Sequence, residues 1–141
     1  MSSGGFDYNE FRKYRDNFNK MYQSFDAWLT AFLLKEGMRF IAEVKPRTPV
    51  DTGDLRNHWQ LDGISREGDE LKCWFVNTMH YATHVEYGHA KPYMSGIAVE
   101  GGPDWVEGYF MMTVSLKRIQ DTMPARFDAA FTQFLRSLEV L

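Results

Sequence analysis

A stripe of large apolar residues near the N-terminus most constrains what this chain can fold into. Its members follow one another in steps of three and four, the spacing of one face of an amphipathic helix. They are Phe11, Tyr14, Phe18, Met21, Phe25, Trp28 and Phe32. Asp7 and Glu10 have the spacing of a capping box, and the pattern continues loosely to Val44 before Pro46 stops it. We therefore predict a long N-terminal helix.

A single helix over this segment would be about 58 Å long at ~1.5 Å per residue. That length exceeds the diameter of a globule of 141 residues. Either the helix breaks near Ser24 or Gly37, or its N-terminal half packs on a neighbouring subunit. The same spacing is also typical of a helix that faces its own core, so both interpretations stay open. The candidate subunit-interface residues of this segment are Phe11, Tyr14 and Phe18.

Two strand-like runs follow, at about 58–65 and 71–78. The first alternates partially, and the second places Cys73 and Phe75 on one face and Trp74 and Val76 on the other. The connector at 66–70 is polar and contains Gly68. This arrangement predicts an antiparallel β-hairpin.

The segment after the hairpin has a helix-like part followed by a loop-like part. Residues 79–88 suit a short helix that Gly88 ends, and residues 91–107 are rich in Gly and Pro, which predicts a long loop with a short strand near 93–99. Because long loops in small domains are usually functional, Tyr93 and Trp105 are further candidate interface residues. In the last third, Pro124 separates two predicted helices.

Composition limits the class of protein. The length suits a single domain over 1–141, with residues 1–6 predicted to be flexible. A net charge of −3 argues against tight binding to nucleic acid phosphates. Cys73 is the only cysteine, the N-terminus lacks the pattern of a signal peptide, and the apolar runs are too short to span a membrane. We expect a soluble intracellular product.

Two groups of residues are candidates for chemistry. His80 and His84 are four positions apart, which on a helix would place two imidazoles on one face. Asp and Glu residues near the turns could form a carboxylate pair, but no nucleophile or phosphate-loop motif accompanies them. We predict no catalytic, cofactor-binding or metal-binding residues, and a small metal-dependent hydrolase is the least favoured alternative.

Two short segments together carry a resemblance to a known family. They are T-P-V-D-T-G-D-L-R at 48–56 and Y-A-T-H-V-E-Y-G at 81–88. In this order and at this separation they resemble the neck and tail-completion family of tailed bacteriophages related to minor tail protein Z. The segment 105–120 is also similar to members of that family. The motif positions are Pro49, Asp51, Thr52, Gly53, Leu55, Arg56, Tyr81, Ala82, Val85, Glu86, Tyr87 and Gly88.

The resemblance implies an α+β fold, with a small antiparallel sheet on which the helices pack. It implies a virion protein that forms a ring, usually of six copies, at the junction of head and tail, and it brings no catalytic residues. The implied partners are the chain itself, connector or stopper proteins, and tail terminator or tail tube proteins, with DNA passing through without specific binding. A tail terminator or another tail or baseplate subunit is the alternative.

The motif residues also have a mechanical interpretation. Gly53 and Gly88 would set turns, and Asp51 or Thr52 would cap a short helix that holds Leu55. We expect Glu86 to pair with Arg56 or with a basic residue of a neighbour. The residues expected to pack onto the hairpin are Tyr81, Val85 and Tyr87.

Overall fold

The structure is a computed structural model that describes residues 8–91 and 99–139. The predicted flexible start at 1–6, the capping residue Asp7 and the candidate interface residue Tyr93 lie outside these ranges, as does most of the strand predicted near 93–99. In chain order the elements are α1 (Asn9–Arg47), α2 (Asp54–Asn57), β1 (Trp59–Glu67), β2 (Glu70–Asn77), α3 (Ala82–Tyr87), β3 (Gly88–Ala90), β4 (Trp105–Glu107) and α4 (Met111–Ser137). The α+β class is confirmed.

The chain divides into two compact units, to which both long helices contribute. Unit 1 consists of Met1–Phe32 with Pro124–Leu141, and unit 2 consists of Leu33–Met123. The prediction of one domain over the whole chain stays a prediction. No helix among the described residues is long and apolar enough to cross a membrane.

An aromatic cluster holds unit 1 together. The indole of Trp28 stacks on Phe134 with ring centroids 5.0 Å apart, and it meets Phe127 edge-on at 5.5 Å. Phe25 contacts Phe131 edge-on at 6.0 Å. Such pairs add about 0.5–1.5 kcal/mol each beyond the burial of their area. The part of the N-terminal stripe from Phe25 to Phe32 is therefore core.

The core of unit 2 forms where α1 meets the hairpin. Phe40 is 1% exposed, stacks on Phe75 at 3.7 Å and meets the edge of Trp59 at 5.8 Å. The buried members of this cluster are Phe40, Val44, Leu55, Trp59, Met111 and Ile119. One face of the hairpin is thus covered, which gives a two-stranded sheet the support it needs.

The hairpin is confirmed, with strands a residue or two longer or shorter than predicted at their ends. Glu67 pairs with Glu70, so Gly68 and Asp69 form a two-residue turn, and Gly68 has a φ of 60°. A positive φ at the first turn residue is the reason that glycine is favoured there. The register shifts between Leu61 and Gly63, which marks a bulge.

A second, smaller ribbon was not predicted. β3 pairs with β4 antiparallel, with Gly88 opposite Glu107 and Ala90 opposite Trp105. The sequence pattern indicates a loop at 91–107 with a strand near 93–99 and none at its two ends, because strands of three residues are too short to show alternation. The ribbon joins the two ends of that loop.

The prediction of two C-terminal helices is wrong, because α4 runs from Met111 to Ser137 with Pro124 inside it. A proline in a helix interior removes one hydrogen bond and costs about 3 kcal/mol. Apolar side chains that pack on both sides of it offset that cost: Ile119 is buried in unit 2, and Phe127 contacts Phe32 in unit 1. Pro124 instead coincides with a boundary between the units.

Glu43 of α1 makes ion pairs on the surface of unit 2. Its carboxylate accepts a hydrogen bond from Arg47 at 2.6 Å and lies 3.4 Å from Nε of Arg118 on α4. The hydrogen bond from Arg47 holds the pKa of Glu43 below its ordinary value, against the opposing effect of burial, and the charge of Arg118 acts in the same direction as Arg47. Glu43 therefore stays ionised, and its ion pair with Arg47 is retained, well below neutral pH.

The helix α1 does not break at Ser24 or Gly37. Gly37 is instead a packing contact, since a Cβ there would lie 2.8 Å from Sγ of Cys73 and 2.8 Å from Cδ2 of Leu61. The missing side chain lets the hairpin approach the helix. Burial in this contact raises the pKa of the Cys73 thiol.

We predict that Gly37→Leu lowers the free energy of unfolding by about 1–3 kcal/mol, because it forces a large side chain into an occupied contact. Met38→Leu is the matched control, since Met38 is 65% exposed. Urea denaturation followed by tryptophan fluorescence would measure both. Equal midpoints for the two variants would contradict the assigned packing.

Candidate functional site

The first motif begins with a buried threonine that joins two elements. Thr48 is 1% exposed. Its hydroxyl donates to the carbonyl oxygen of Val44 at 2.8 Å and accepts from the indole N–H of Trp59 at 2.8 Å. The hydrogen bonds link the end of α1 to the start of β1 and leave neither polar group of the pair unsatisfied.

The middle of the first motif is a turn into α2. Gly53 precedes the helix with a φ of 92°, a conformation that glycine adopts without strain. Neither Asp51 nor Thr52 caps α2 as predicted, because Gly53 occupies the cap position and α2 has no side-chain cap bond; the hydroxyl of Thr52 instead accepts from the N–H of Asp54 at 3.3 Å. Asp51 is exposed. The expectation that Gly53 sets a turn is confirmed.

Arg56 does not pair with Glu86, so the expectation of an ion pair between the motifs is wrong. Arg56 donates from a terminal nitrogen to the backbone carbonyl of Thr48 at 3.1 Å, while its Nε has no hydrogen-bond partner within the described ranges. The hairpin is tied to the first motif by Asn77 instead, whose amide donates to the carbonyl of Leu55 at 2.6 Å.

The second motif covers α3 and its exit. Tyr81, Ala82 and Val85 pack against the core of unit 2. Tyr87 is 48% exposed and its ring lies edge-on to Phe110 at 6.3 Å. Gly88 ends the helix with a φ of 91°, and a Cβ there would lie 2.5 Å from the carbonyl oxygen of Val106. Glycine is required at this position both by the backbone angle and by the approach of β4.

The most elaborate contact of the second motif belongs to Glu86, which is 3% exposed. One carboxylate oxygen accepts from the N–H of Met112 at 2.8 Å, and the other accepts from the N–H and the hydroxyl of Thr113 at 2.8 and 2.6 Å. These are the unpaired donors of the first turn of α4. A carboxylate there is stabilised by the helix dipole and by charge-assisted hydrogen bonds.

The backbone of the second motif reinforces this contact. The N–H of Phe110 donates to the carbonyl of Glu86 at 3.0 Å, and the N–H of Tyr109 donates to that of Val85 at 2.8 Å. Phe110 has a φ of 49°, an uncommon conformation for a bulky residue. The chain thus turns sharply into α4. Glu86 stabilises this turn twice, because its backbone carbonyl binds the residue before α4 and its carboxylate binds the first turn of α4.

Two small cavities flank the motifs within unit 2. One of about 200 Å³ is bordered by Trp59, Phe75, Glu86 and Met111, and one of about 170 Å³ lies between Thr52 and Tyr81. Of the polar groups at their walls, Glu86 and Thr52 already bond to the protein. Among the described residues, no three His, Cys, Asp or Glu side chains are grouped to hold a metal ion.

The candidate interface residues occupy different surroundings. Phe11, Tyr14 and Phe18 of unit 1 are 64%, 53% and 50% exposed. Trp105 is half-buried in the small ribbon of unit 2, and its indole N–H finds no acceptor in the part of the chain that the structure describes. The exposed rings leave a surface free for a partner.

The contact of Glu86 with α4 was not predicted, although a local signal existed. The residues just before α4 are Gly108, Tyr109 and Phe110, and none of them carries a carboxylate, amide or aliphatic hydroxyl oxygen that could accept from the first turn. A helix start without its own cap needs an acceptor from elsewhere in the chain. Buried Glu86 supplies it from 26 positions away.

Comparison with known families gives one match. The model of the HK97-gp10-like family, described as "Bacteriophage HK97-gp10, putative tail-component", matches residues 12–88. The match includes both motifs and confirms the resemblance to a neck and tail family of tailed phages. A structural protein of the phage tail is part of the virion. No curated protein and no solved structure matches the chain.

We predict that Glu86→Gln lowers the free energy of unfolding by about 1.5–3 kcal/mol, since the amide has one acceptor oxygen and turns a donor toward the N–H groups of α4. Glu107→Gln, at an exposed position of β4, is the control. Urea titration at neutral pH measures the difference. If Glu86→Gln proved as stable as the control, the carboxylate would not be what holds the helix start.

Thr48→Val tests the first motif. It preserves the shape of the side chain but leaves the indole N–H of Trp59 without its acceptor, which should cost about 1–3 kcal/mol. Thr78→Val, at an exposed position, should change stability little. Thermal unfolding followed by circular dichroism compares the variants, and an unchanged melting temperature for Thr48→Val would refute the proposed link.

Proposed function

Because the chain belongs to the HK97-gp10-like family of bacteriophage tail components, we propose that it is a non-enzymatic subunit of a ring at the junction of head and tail. The observation that carries the proposal is the family match over 12–88, which spans both motifs. The ring would consist of copies of this chain, six in number, and complete the tail before it joins the head. Assembly would take place in the host cytoplasm.

The interior of the motifs supports a structural role. Two buried polar side chains of the motifs bond to the protein's own backbone: Glu86 to the first turn of α4, and Thr48 to α1. A general base must instead reach a proton of the substrate. These groups maintain the shape of the subunit.

The surface supports contacts with other subunits. A closed ring needs a heterologous interface, in which one patch of a subunit docks on a different patch of the next. Aromatic side chains are enriched in the cores of such interfaces, and the first turns of α1 present Phe11, Tyr14 and Phe18 to solvent. We assign these residues, with Tyr93 and Trp105, to subunit contacts.

Charge is consistent with a channel that lets DNA pass. At a net charge of −3 the chain lacks the basic excess of a protein that grips phosphates. A ring with this balance would repel the genome weakly and let it pass without specific binding. The other partners would be a connector or stopper protein on one side and a tail terminator or tail tube protein on the other.

Cryo-electron microscopy of intact virions tests the proposal. We expect density for α1, the hairpin and α4 in a ring between the head and the tail tube, with Phe11, Tyr14 and Phe18 at contacts between subunits. Density at the end of the tube or in the baseplate would favour the alternative of another tail subunit. Absence of the chain from the neck would refute the ring at this position.

A further inference from the structure

The end of the second motif and the start of α4 leave an apolar surface exposed on unit 2. Tyr87 is 48% exposed, Phe110 is 37% exposed and Val114 is 43% exposed. The rings of Tyr87 and Phe110 lie edge-on at 6.3 Å. The N–H of Val114 donates to the carbonyl of Phe110 one turn earlier, which places both side chains on the same side of the helix. The cavity of about 200 Å³ adjoins this surface, since Tyr87 also lines it. These three side chains and the cavity form the α4 patch.

The backbone of the α4 patch is strained where it displays a ring. Phe110 has a φ of 49°, which is uncommon for a bulky side chain. Its N–H donates to the carbonyl of Glu86 at 3.0 Å, and the carboxylate of the same residue binds the next turn. Strained conformations persist where their surroundings enforce them, and they cluster at functional sites. A strained residue whose ring is partly exposed therefore points to a binding surface.

The cavity of the α4 patch suits one large side chain. Val76, Ala82 and Met112 contribute apolar walls, and the carboxylate of Glu86 at its wall is already bonded to α4. An apolar cavity of about 150 Å³ can hold a benzene ring. An aromatic side chain from an extended segment would therefore fit. Large side chains anchored in pockets carry most of the binding energy of protein interfaces.

A segment of matching chemistry connects β3 to β4. Residues 92–99 are P-Y-M-S-G-I-A-V, without a charged residue, and Tyr93 is already a candidate interface residue. Just before this segment, the N–H of Lys91 donates to the carbonyl of Asp104 at 2.8 Å and extends the ladder of the small ribbon. Lys91 is three residues from Gly88, which is about 10 Å at ~3.3 Å per residue. Because Gly88 directly follows Tyr87, the ribbon leads away from the patch of its own chain.

We propose that the α4 patch binds residues 92–99 of a neighbouring copy of this chain, with Tyr93 in the cavity. The patch is exposed in the folded chain, and Val99, at the end of the segment, is 68% exposed as well. A segment that docks on a different surface of the next copy makes a heterologous contact, which closes into a ring where the rotation between copies allows it. The inference rests on the proposed function, because it assigns the two sides of one contact of that ring.

Substitutions on the two sides test the contact. Val114→Glu should weaken self-association of the purified full chain by roughly tenfold or more, because docking would bury a charge that has no partner. Tyr93→Ala should have an effect of similar size, since it removes the anchor. Met38→Glu places the same charge at an exposed apolar position of α1 and is the control. Sedimentation velocity over a range of concentrations measures the association, and circular dichroism verifies that each variant is folded. Association of a folded Val114→Glu equal to that of the control would overturn the inference.

A cross-link reports which surfaces meet. In a Cys73→Ser background, Met94→Cys places a thiol beside Tyr93, and Thr83→Cys places one at the exposed rim of the cavity. Oxidation of a mixture of these two variants should join unlike chains roughly ten times faster than like chains, because only the unlike positions meet in the heterologous contact. Asp69→Cys, at the turn of the hairpin, replaces Thr83→Cys in the matched control and should link to position 94 no faster than like chains do.

A chain that carries both thiols, at positions 83 and 94, separates a neighbour from the chain's own segment. Docking on a neighbour gives linked dimers and longer oligomers on a non-reducing gel, whereas docking within one chain gives a linked monomer. A linked monomer as the main product would overturn the inference, as would equal rates for like and unlike pairs. A chain that forms no link between these positions at any concentration would overturn it too.

The outcomes separate this inference from the proposed function. A ring in the neck of the virion whose α4 patches are empty, or are covered by a different tail protein, overturns the inference and leaves the ring in place. Links between positions 94 and 83, in a chain that lies elsewhere in the virion, support the contact and refute the ring at the junction of head and tail.

Discussion

The carboxylate of Glu86 at the start of α4 is the interaction on which the rest of unit 2 depends. Two backbone N–H groups of the first turn and one hydroxyl donate to it, and Tyr109 and Phe110 before the helix offer no cap of their own. The contact therefore fixes where α4 enters the core. Met111 and Ile119 of α4 belong to that core together with Phe40. A side chain of α3 thus sets the position of a helix that begins 25 residues later.

The first motif uses its polar groups in the same way. Thr48 and Arg56 of the motif, and Asn77 of β2, each hydrogen-bond to a backbone carbonyl or an indole within unit 2. Their residue types suggest a reactive site, yet their bonding capacity is used to join the end of α1 to the hairpin. A buried polar group that lost its partner would destabilise the fold by its desolvation cost. In this chain the motifs therefore serve the architecture of unit 2.

Local patterns in the sequence predicted the local parts of this fold. The hairpin followed from alternation on both sides of Gly68, and the end of α1 followed from Pro46, one residue before the helix ends at Arg47. The exit of α3 followed from Gly88. The contacts that join distant segments could not be predicted. The partner of Glu86 lies 26 positions away, and Arg56, a residue of suitable charge in the other motif, was the wrong choice. Pro124 was misjudged because the packing on either side of it outweighs its local cost.

The N-terminal stripe shows a different limit. Its spacing is the same from Phe11 to Phe32, so the sequence cannot say which turns are core; the extent of α4 decides that. The exposed half cannot hold a ring together by itself. Completing the burial of three half-exposed rings contributes about 1 kcal/mol each, since full burial of such a side chain is worth about 1.5–3 kcal/mol. That total is below the ~4–15 kcal/mol that association costs in lost freedom. Stable assembly therefore requires further surfaces to engage at the same time, whether on other faces of the subunit or on neighbouring proteins of the tail. Weak contacts of this kind favour assembly where several surfaces engage together, and they disfavour assembly of the isolated chain in solution.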